Sequence, residues 1–181
     1  MRLPEFSFFA PCAGLALLVL GFAGCTTEIN YSTATADGQR VTFRMLNGVP
    51  DHGNEDGIQT DTPKIEPNFT DHKLRYVVRL FDRSGQPGLR SVRVEDVTEG
   101  KPMLLIEDNT PQLKNQEWRG TSPFFEAEDE PLKWIGYLDQ TFCVYRFTIV
   151  RADGRTIVLH EGMMVSPYSK TMLRHALGEK Y

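Results

Sequence analysis

The clearest pattern in the chain is a pair of β-rich runs on either side of a turn, within residues 141–165. Apolar and polar positions alternate in both runs, and Asp153-Gly154 between them is typical of a two-residue type I′ hairpin turn. This turn predicts a register in which Arg146 faces Glu161 across the hairpin. The same register predicts a core face made of Cys143, Tyr145, Phe147, Ile149, Val158, His160 and Met164.

Other parts of the chain have the composition of short strands separated by turn-rich stretches. These runs are residues 40–46, 73–82, 91–97 and 102–108. The tail after Val165 has the apolar spacing of one short helix. The sequence therefore predicts a mainly β protein, an antiparallel β-sandwich of about seven to eight strands with a short C-terminal helix. In pattern only, the closing hairpin resembles an immunoglobulin-like module, and a transthyretin-like sandwich fits equally well.

The pattern divides the chain into a leader, a tether and one domain. Residues 1–24 have the features of an export signal, and residues 25–39 are polar and predicted to be a tether, with a short strand allowed inside it. Residues 40–181 are predicted to form the single β-sandwich domain. Two stretches in it, 47–72 and 109–131, are predicted to be long loops.

The leader points to a cell-envelope location. Its apolar run, residues 12–22, has about the length of a signal-peptide core and is short for a membrane span. The run ends in FAGC, residues 22–25, which resembles the lipobox of bacterial lipoproteins. The resemblance implies cleavage after Gly24 and a lipid anchor on Cys25, with acyl groups such as palmitate. Thr26 at the next position implies sorting to the outer membrane. Cleavage by an ordinary secretory peptidase and retention as an uncleaved anchor are the alternatives.

Composition narrows the function classes. The formal net charge is −4, which gives no support for nucleic-acid binding. Of the three cysteines, Cys12 leaves with the signal and Cys25 takes the lipid. Only Cys143 then remains, so no internal disulfide is predicted. A lone cysteine in a β-rich run is more typical of a small buried hydrophobe than of a nucleophile.

No catalytic or metal-binding motif is recognisable. The acidic stretch 51–61 offers carboxylates, with Asp51 and Asp56 as candidate cation ligands, but its spacing departs from the EF-hand pattern. We therefore expect a solvated, mobile acidic loop without metal. The four histidines lack zinc-site spacing, and no nucleophile elbow is present. The sequence predicts no catalytic residue, no cofactor and no enzymatic activity.

Aromatic residues mark the candidate contact surface. Trp118, Phe124, Phe125 and Trp134 lie in or beside the second long loop, where they can contact a ligand or partner or can plug the open end of the sandwich. We expect a non-enzymatic binding module whose partners are the membrane, through the anchor, and an envelope protein or glycan. A structural lipoprotein of a larger envelope complex is the first alternative. A hydrolase with an unrecognised site is the second.

Overall fold

The computed structural model describes residues 27–86, 88–98, 100–126 and 142–178. Within these ranges the chain contains thirteen strands in three antiparallel sheets and one short helix. The strands are β1 (Glu28–Ala34), β2 (Arg40–Leu46), β3 (Val49–Pro50), β4 (Asn54–Glu55), β5 (Ile58–Thr60), β6 (Lys64–Asn68), β7 (Lys73–Asp82), β8 (Leu89–Asp96), β9 (Met103–Asp108), β10 (Glu117–Thr121), β11 (Phe125–Glu126), β12 (Phe142–Arg151) and β13 (Thr156–Met164), and the helix is α1 (Pro167–Ala176). The predicted antiparallel β-sandwich with a C-terminal helix is confirmed.

Two of the sheets face each other and enclose the main core. One has the strand order β13-β12-β8-β9, and the other is built on β7, which pairs with β5, β6, β10 and β11. Successive side chains of a strand point to opposite faces, so every second residue enters the core. The buried apolar residues from the longest strands include Leu74, Tyr76, Val78, Leu80, Val92, Val94, Cys143, Tyr145, Phe147 and Ile149.

A third, smaller sheet of β1, β2 and β3 packs near the start of β12. Phe43 and Met45 of β2 form a second apolar cluster with Phe142 and Val144 of β12. The ring of Tyr31 lies 4.7 Å from the ring of Phe142, measured between centroids. These contacts cover the β12 face that points away from the main core.

Segments predicted to lack regular structure contain strands. The tether, residues 25–39, holds β1, which is longer than the short strand allowed there. The predicted loop 47–72 holds β3 to β6, and the predicted loop 109–131 holds β10 and β11. The prediction of a long loop at 47–72 was wrong, since this segment contains strands of two to five residues that pair with neighbouring strands. Such short runs have no clear periodicity of their own.

The register of the β12–β13 hairpin differs from the prediction by one residue. The Arg151 amide donates to the Arg155 carbonyl at 2.9 Å, so the loop has three residues rather than two. Within this loop only Gly154 has a positive φ, at 89°, whereas a type I′ turn needs a positive φ at both central residues. A three-residue loop ending in a left-handed glycine is the next most common hairpin connection.

This shift turns β13 over, because a one-residue slip exchanges the two faces of a strand. The predicted core positions on β12 are correct, but those on β13 are wrong. Leu159 and Glu161 are buried in the core, whereas Val158 and Met164 are exposed. His160 lies opposite Arg146 instead of facing the core.

The predicted pair of Arg146 with Glu161 does not form. Arg146 Nη2 lies 2.9 Å from Glu95 Oε2 on β8, and the guanidinium also pairs with Asp37. Burial and the positive charge of Arg146 lower the pKa of the neighbouring His160.

The helix closes one side of the sandwich. Its first turn is capped by Ser166, whose hydroxyl accepts a hydrogen bond from the Ser169 amide at 3.1 Å. Leu173 and Ala176 point into the main core. Gly178 follows the helix with a φ of 80°, a conformation typical of helix ends.

A buried ion pair ties the two large sheets together at the other end. Arg151, at the end of β12, is fully buried, and its Nη1 lies 3.0 Å from Asp82 Oδ2 at the end of β7. Ser84 Oγ also accepts a hydrogen bond from this guanidinium. Removal of one partner from such a pair costs about 3–5 kcal/mol, because the other charge stays buried.

Candidate functional site

Two of the aromatic residues predicted as contacts are part of the core. Trp118 is buried, its indole ring covers Gly120, and its Nε1 donates to Asp108 Oδ2 at 2.9 Å. Phe125 is half-buried and packs edge-on against Tyr76. The prediction of Trp118 as a ligand contact was therefore wrong, because the ring fills the side of the sandwich instead of facing solvent.

The other predicted contacts divide between exposed and undescribed positions. Phe124 is exposed, and the Arg75 guanidinium lies over its ring at 4.8 Å from the centroid. Trp134 and the lipidation residue Cys25 lie outside the described residues. Phe124 is therefore the only one of the four aromatics that is exposed in the part of the chain that the structure describes.

The candidate cation ligands are paired with arginines. Asp56 Oδ2 lies 3.0 Å from Arg155 Nη1, and Asp51 Oδ2 lies 4.0 Å from Arg44 Nη1. No group of three or more histidine, cysteine, aspartate or glutamate side chains within the described ranges is arranged to hold a metal ion. Each of these two candidate ligands therefore has an arginine as its neighbour.

A buried carboxylate that the sequence analysis did not identify lies beneath this region. Glu161 of β13 is fully buried, and its Oε1 accepts a hydrogen bond from the Gly53 amide at 2.7 Å. The Thr60 hydroxyl donates to the same oxygen. His52 Nδ1 lies 3.4 Å from the other oxygen. Glu161 thus fastens residues 51–60 to the edge of the sandwich.

Burial makes ionisation of the Glu161 carboxyl less favourable than it is in water. Burial raises the pKa of the Glu161 carboxyl, and the hydrogen bonds from Thr60 and Gly53 oppose this effect only in part. The imidazole of His52 lies between two carboxylates: its Nδ1 is next to Glu161, and its Nε2 lies 3.9 Å from Asp61 Oδ1. Asp61 in turn pairs with Arg79.

Neither Glu161 nor His52 lines any of the four main cavities of the described residues. Catalysis requires the acid–base group to face a pocket. The arrangement of Glu161 is that of a structural anchor for the 51–60 segment. No sequence signal indicated the contact between His52 and Glu161, because these residues are 109 positions apart in the chain.

The largest of these cavities is an apolar groove beside helix α1. It has a volume of about 470 Å³ and lies between β6, the end of β13 and helix α1. Its lining residues are Pro63, Lys64, Ile65, Pro67, Met163, Met164, Val165, Ser169, Met172 and Leu173. We call this cavity the methionine groove. Methionine side chains are flexible and polarizable, so they adapt to ligands of irregular shape.

A smaller polar cavity adjoins the methionine groove through one shared residue. It has a volume of about 150 Å³ and is lined by residues from β6, β7 and β10, and we call it the basic pocket. The residues that line it are Thr62, Lys64, Glu66, Val77, Arg79 and Arg119. Lys64 lines both cavities, so an apolar surface passes into a mainly cationic one across the edge strand β6.

A second carboxyl is buried between the sheets. Asp96, at the end of β8, is almost fully inaccessible, and its Oδ1 accepts a hydrogen bond from the Thr98 amide at 2.9 Å. In the described part of the chain, no group hydrogen-bonds its Oδ2. Burial raises the pKa of Asp96 to about 6, against the weaker effect of Thr98.

Comparison with known protein families, with curated proteins and with solved structures finds no match for this chain. Among the residues that the structure describes, no helix is long and apolar enough to cross a membrane.

The two buried carboxyls predict an unusual dependence of stability on pH. A carboxyl whose pKa is raised by folding binds its proton more tightly in the folded state. Its contribution is present below the unfolded pKa and is lost as pH rises through the folded pKa. For Asp96 this window runs from 3.8 to about 6, and the loss amounts to roughly 3 kcal/mol. Glu161 acts in the same direction.

Asp37 and Asp82, whose pKa values are lowered in the folded chain, act in the opposite direction, so the prediction concerns the difference between variant and parent. In urea titrations, Asp96→Asn and Glu161→Gln should each remove a loss of unfolding free energy as pH rises through this window, because an amide does not ionise. Gln retains an oxygen for the Gly53 amide and the Thr60 hydroxyl. A curve of unchanged slope in both variants would contradict the burial of these carboxyls.

Proposed function

We propose that this chain is an exported lipoprotein, anchored to the bacterial envelope through Cys25, whose β-sandwich is a non-enzymatic binding module. The FAGC sequence after an apolar run supports the anchor. Attachment of several acyl chains gives stable membrane binding, whereas a single chain gives only marginal binding. The outer membrane is the proposed location, on the basis of Thr26 after the lipidated cysteine.

The methionine groove carries the proposal of a binding role. Its volume of about 470 Å³ falls within the range typical of small-ligand sites, roughly 300–1,000 Å³. Three methionines line it, and Met164 among them is 51% exposed. Removal of an apolar surface from water lowers the free energy, so a ligand that covers this surface is stabilised in its bound state. The groove is therefore the part of the described surface best suited to hold an apolar ligand.

The polar lining of the groove favours binding over catalysis. Among the described residues, its polar side chains are Lys64 and Ser169, and none of them supplies a carboxylate or imidazole to the lining. A hydrolytic site needs a nucleophile, a base and an orienting group within hydrogen-bond reach of one another. His52, which lies between the carboxylates of Glu161 and Asp61, belongs to the separate cluster around Glu161.

The three-stranded sheet favours a second candidate function, a structural part of a larger envelope complex. Leu46 and Val49 lie opposite each other on one face of this sheet and are exposed, Val49 by 64%; Ile29 is also exposed but lies on the other face, beside Met45. Exposed apolar patches next to polar surface are typical of protein–protein contacts. This sheet also begins close to the proposed anchor at Cys25, so a partner there would lie near the membrane.

The proposed lipid anchor at Cys25 is tested by mass spectrometry of the N-terminal peptide of the mature protein. We expect the peptide to begin at Cys25 and to carry the mass of a diacylglyceryl group. Cys25→Ala should leave the precursor uncleaved at this position, whereas Cys143→Ala should not affect processing. An unmodified peptide that begins at another residue would refute the anchor.

The binding role of the groove is tested with Met172→Glu, which places a charge in the apolar lining. We expect affinity for an environment-sensitive apolar dye to fall about tenfold or more, equivalent to roughly 1.4 kcal/mol. Val158→Glu is the matched control, since Val158 is an apolar, partly exposed residue outside the groove. Equal dye affinity in the two variants, with unchanged melting temperatures, would count against a binding role for the groove.

A further inference from the structure

The methionine groove and the basic pocket together indicate a class of ligand. We propose that they bind one anionic lysophospholipid, with its acyl chain in the groove and its phosphate beside Lys64 and Arg119. This inference rests on the proposed binding function and gives the chemistry of the ligand. It follows from three features: the apolar lining of the groove, the charge of the adjoining pocket and the residue that the two cavities share.

The groove has the chemistry and the size for a single acyl chain. Apart from Lys64 and Ser169, its lining consists of aliphatic, proline and methionine side chains. An acyl chain gains about 0.8 kcal/mol for each methylene that leaves water, without any directional contact. The volume, about 470 Å³, lies in the lower part of the range for ligand sites. That size suits one chain better than the two chains of a bilayer phospholipid.

The basic pocket supplies the complement to an anionic head group. Its charged lining residues are three cations, Lys64, Arg79 and Arg119, and one acid, Glu66. Arginine and lysine are the side chains that most often bind phosphate oxygens. A phosphate at this position would therefore meet an excess of positive charge.

Existing ion pairs leave part of this positive charge available. Arg79 is paired with Asp61, and Glu66 Oε2 lies 2.8 Å from Arg75 Nη2. Arg119 is exposed, and its Nη2 lies 3.9 Å from Glu66 Oε1, beyond hydrogen-bond distance. The described residues give Lys64 no ion pair at all. Lys64 and Arg119 are thus the two cations of the pocket that can turn to a ligand without breaking a short ion pair.

The position of Lys64 joins the two requirements in one molecule. Lys64 stands at the start of the edge strand β6 and lines both cavities. Its aliphatic stem can cover an apolar chain while its ammonium group contacts a phosphate, the usual behaviour of an amphipathic side chain. A ligand that satisfies both cavities needs an apolar chain and an anionic group separated by a short linker, which describes a lysophospholipid.

The test uses the full-length chain in phosphatidylcholine nanodiscs, titrated with lysophosphatidic acid that carries a photoreactive acyl chain. A monoacylglycerol with the same photoreactive chain tests the contribution of the phosphate. We expect crosslinks on peptides that contain Met163 or Met172, with half-saturation at a concentration at least tenfold lower for the phosphate-bearing lipid. Free glycerol phosphate should not compete, because it lacks the chain.

The variants separate the head group from the chain. Lys64→Gln and Arg119→Gln should each reduce the preference for the phosphate-bearing lipid while leaving monoacylglycerol crosslinking unchanged. Arg40→Gln is the matched control, because Arg40 is an exposed cation on β2 that lines neither cavity. Loss of the preference in the control as well would contradict a specific head-group site.

Other outcomes distinguish this inference from the proposed function. Equal crosslinking of the two lipids in the groove would overturn the phosphate site and leave the binding module intact. If no lipid crosslinks in the groove, while Met172→Glu still abolishes recovery of a membrane protein partner, the ligand is a protein and the lipid inference is overturned. Met172→Glu without effect on either ligand would overturn both proposals.

Discussion

The pairing register of β12 with β13 is the constraint on which both notable regions of this protein depend. A three-residue loop ending in left-handed Gly154 sets this register, so that Tyr145 faces Glu161 across the hairpin. β13 is the edge strand of its sheet, and it contributes Glu161 to the interior and Met163 and Met164 to the groove. A slip of one residue would expose the carboxyl and bury residues that now face solvent.

Burial of Glu161 gives order to a segment that would otherwise be a polar loop. The carboxyl loses its hydration in the core, and the Gly53 amide and the Thr60 hydroxyl offset part of this cost. The same bonds hold residues 51–60 against the sandwich. Acids of this segment pair locally with arginines, as at Asp56, and the methionine groove lies at the end of β13, next to helix α1.

The long strands could be predicted from the sequence, but the hairpin register and the short strands could not. Strands such as β7 and β12 are long enough to show alternation, so the sandwich and its central core were predictable. The hairpin register was not, because Asp153-Gly154 occurs in loops of two and of three residues. Short strands such as β5 exist only because β7 offers a partner. The contact of His52 with Glu161 and the two cavities depend on tertiary packing, which leaves no local pattern.

Disulfide trapping across the hairpin tests this account most directly. Thr148 lies opposite Val158 in the observed register and would lie opposite Leu159 in the register expected from a two-residue turn. Paired residues in antiparallel strands lie about 4.5–5.5 Å apart between Cα atoms, within the range of a disulfide. The double variant Thr148→Cys with Val158→Cys should crosslink readily on mild oxidation, and Thr148→Cys with Leu159→Cys should not. The opposite result would place Glu161 on the outer face of the sheet. It would contradict both the contacts of Glu161 with residues 51–60 and the methionine groove.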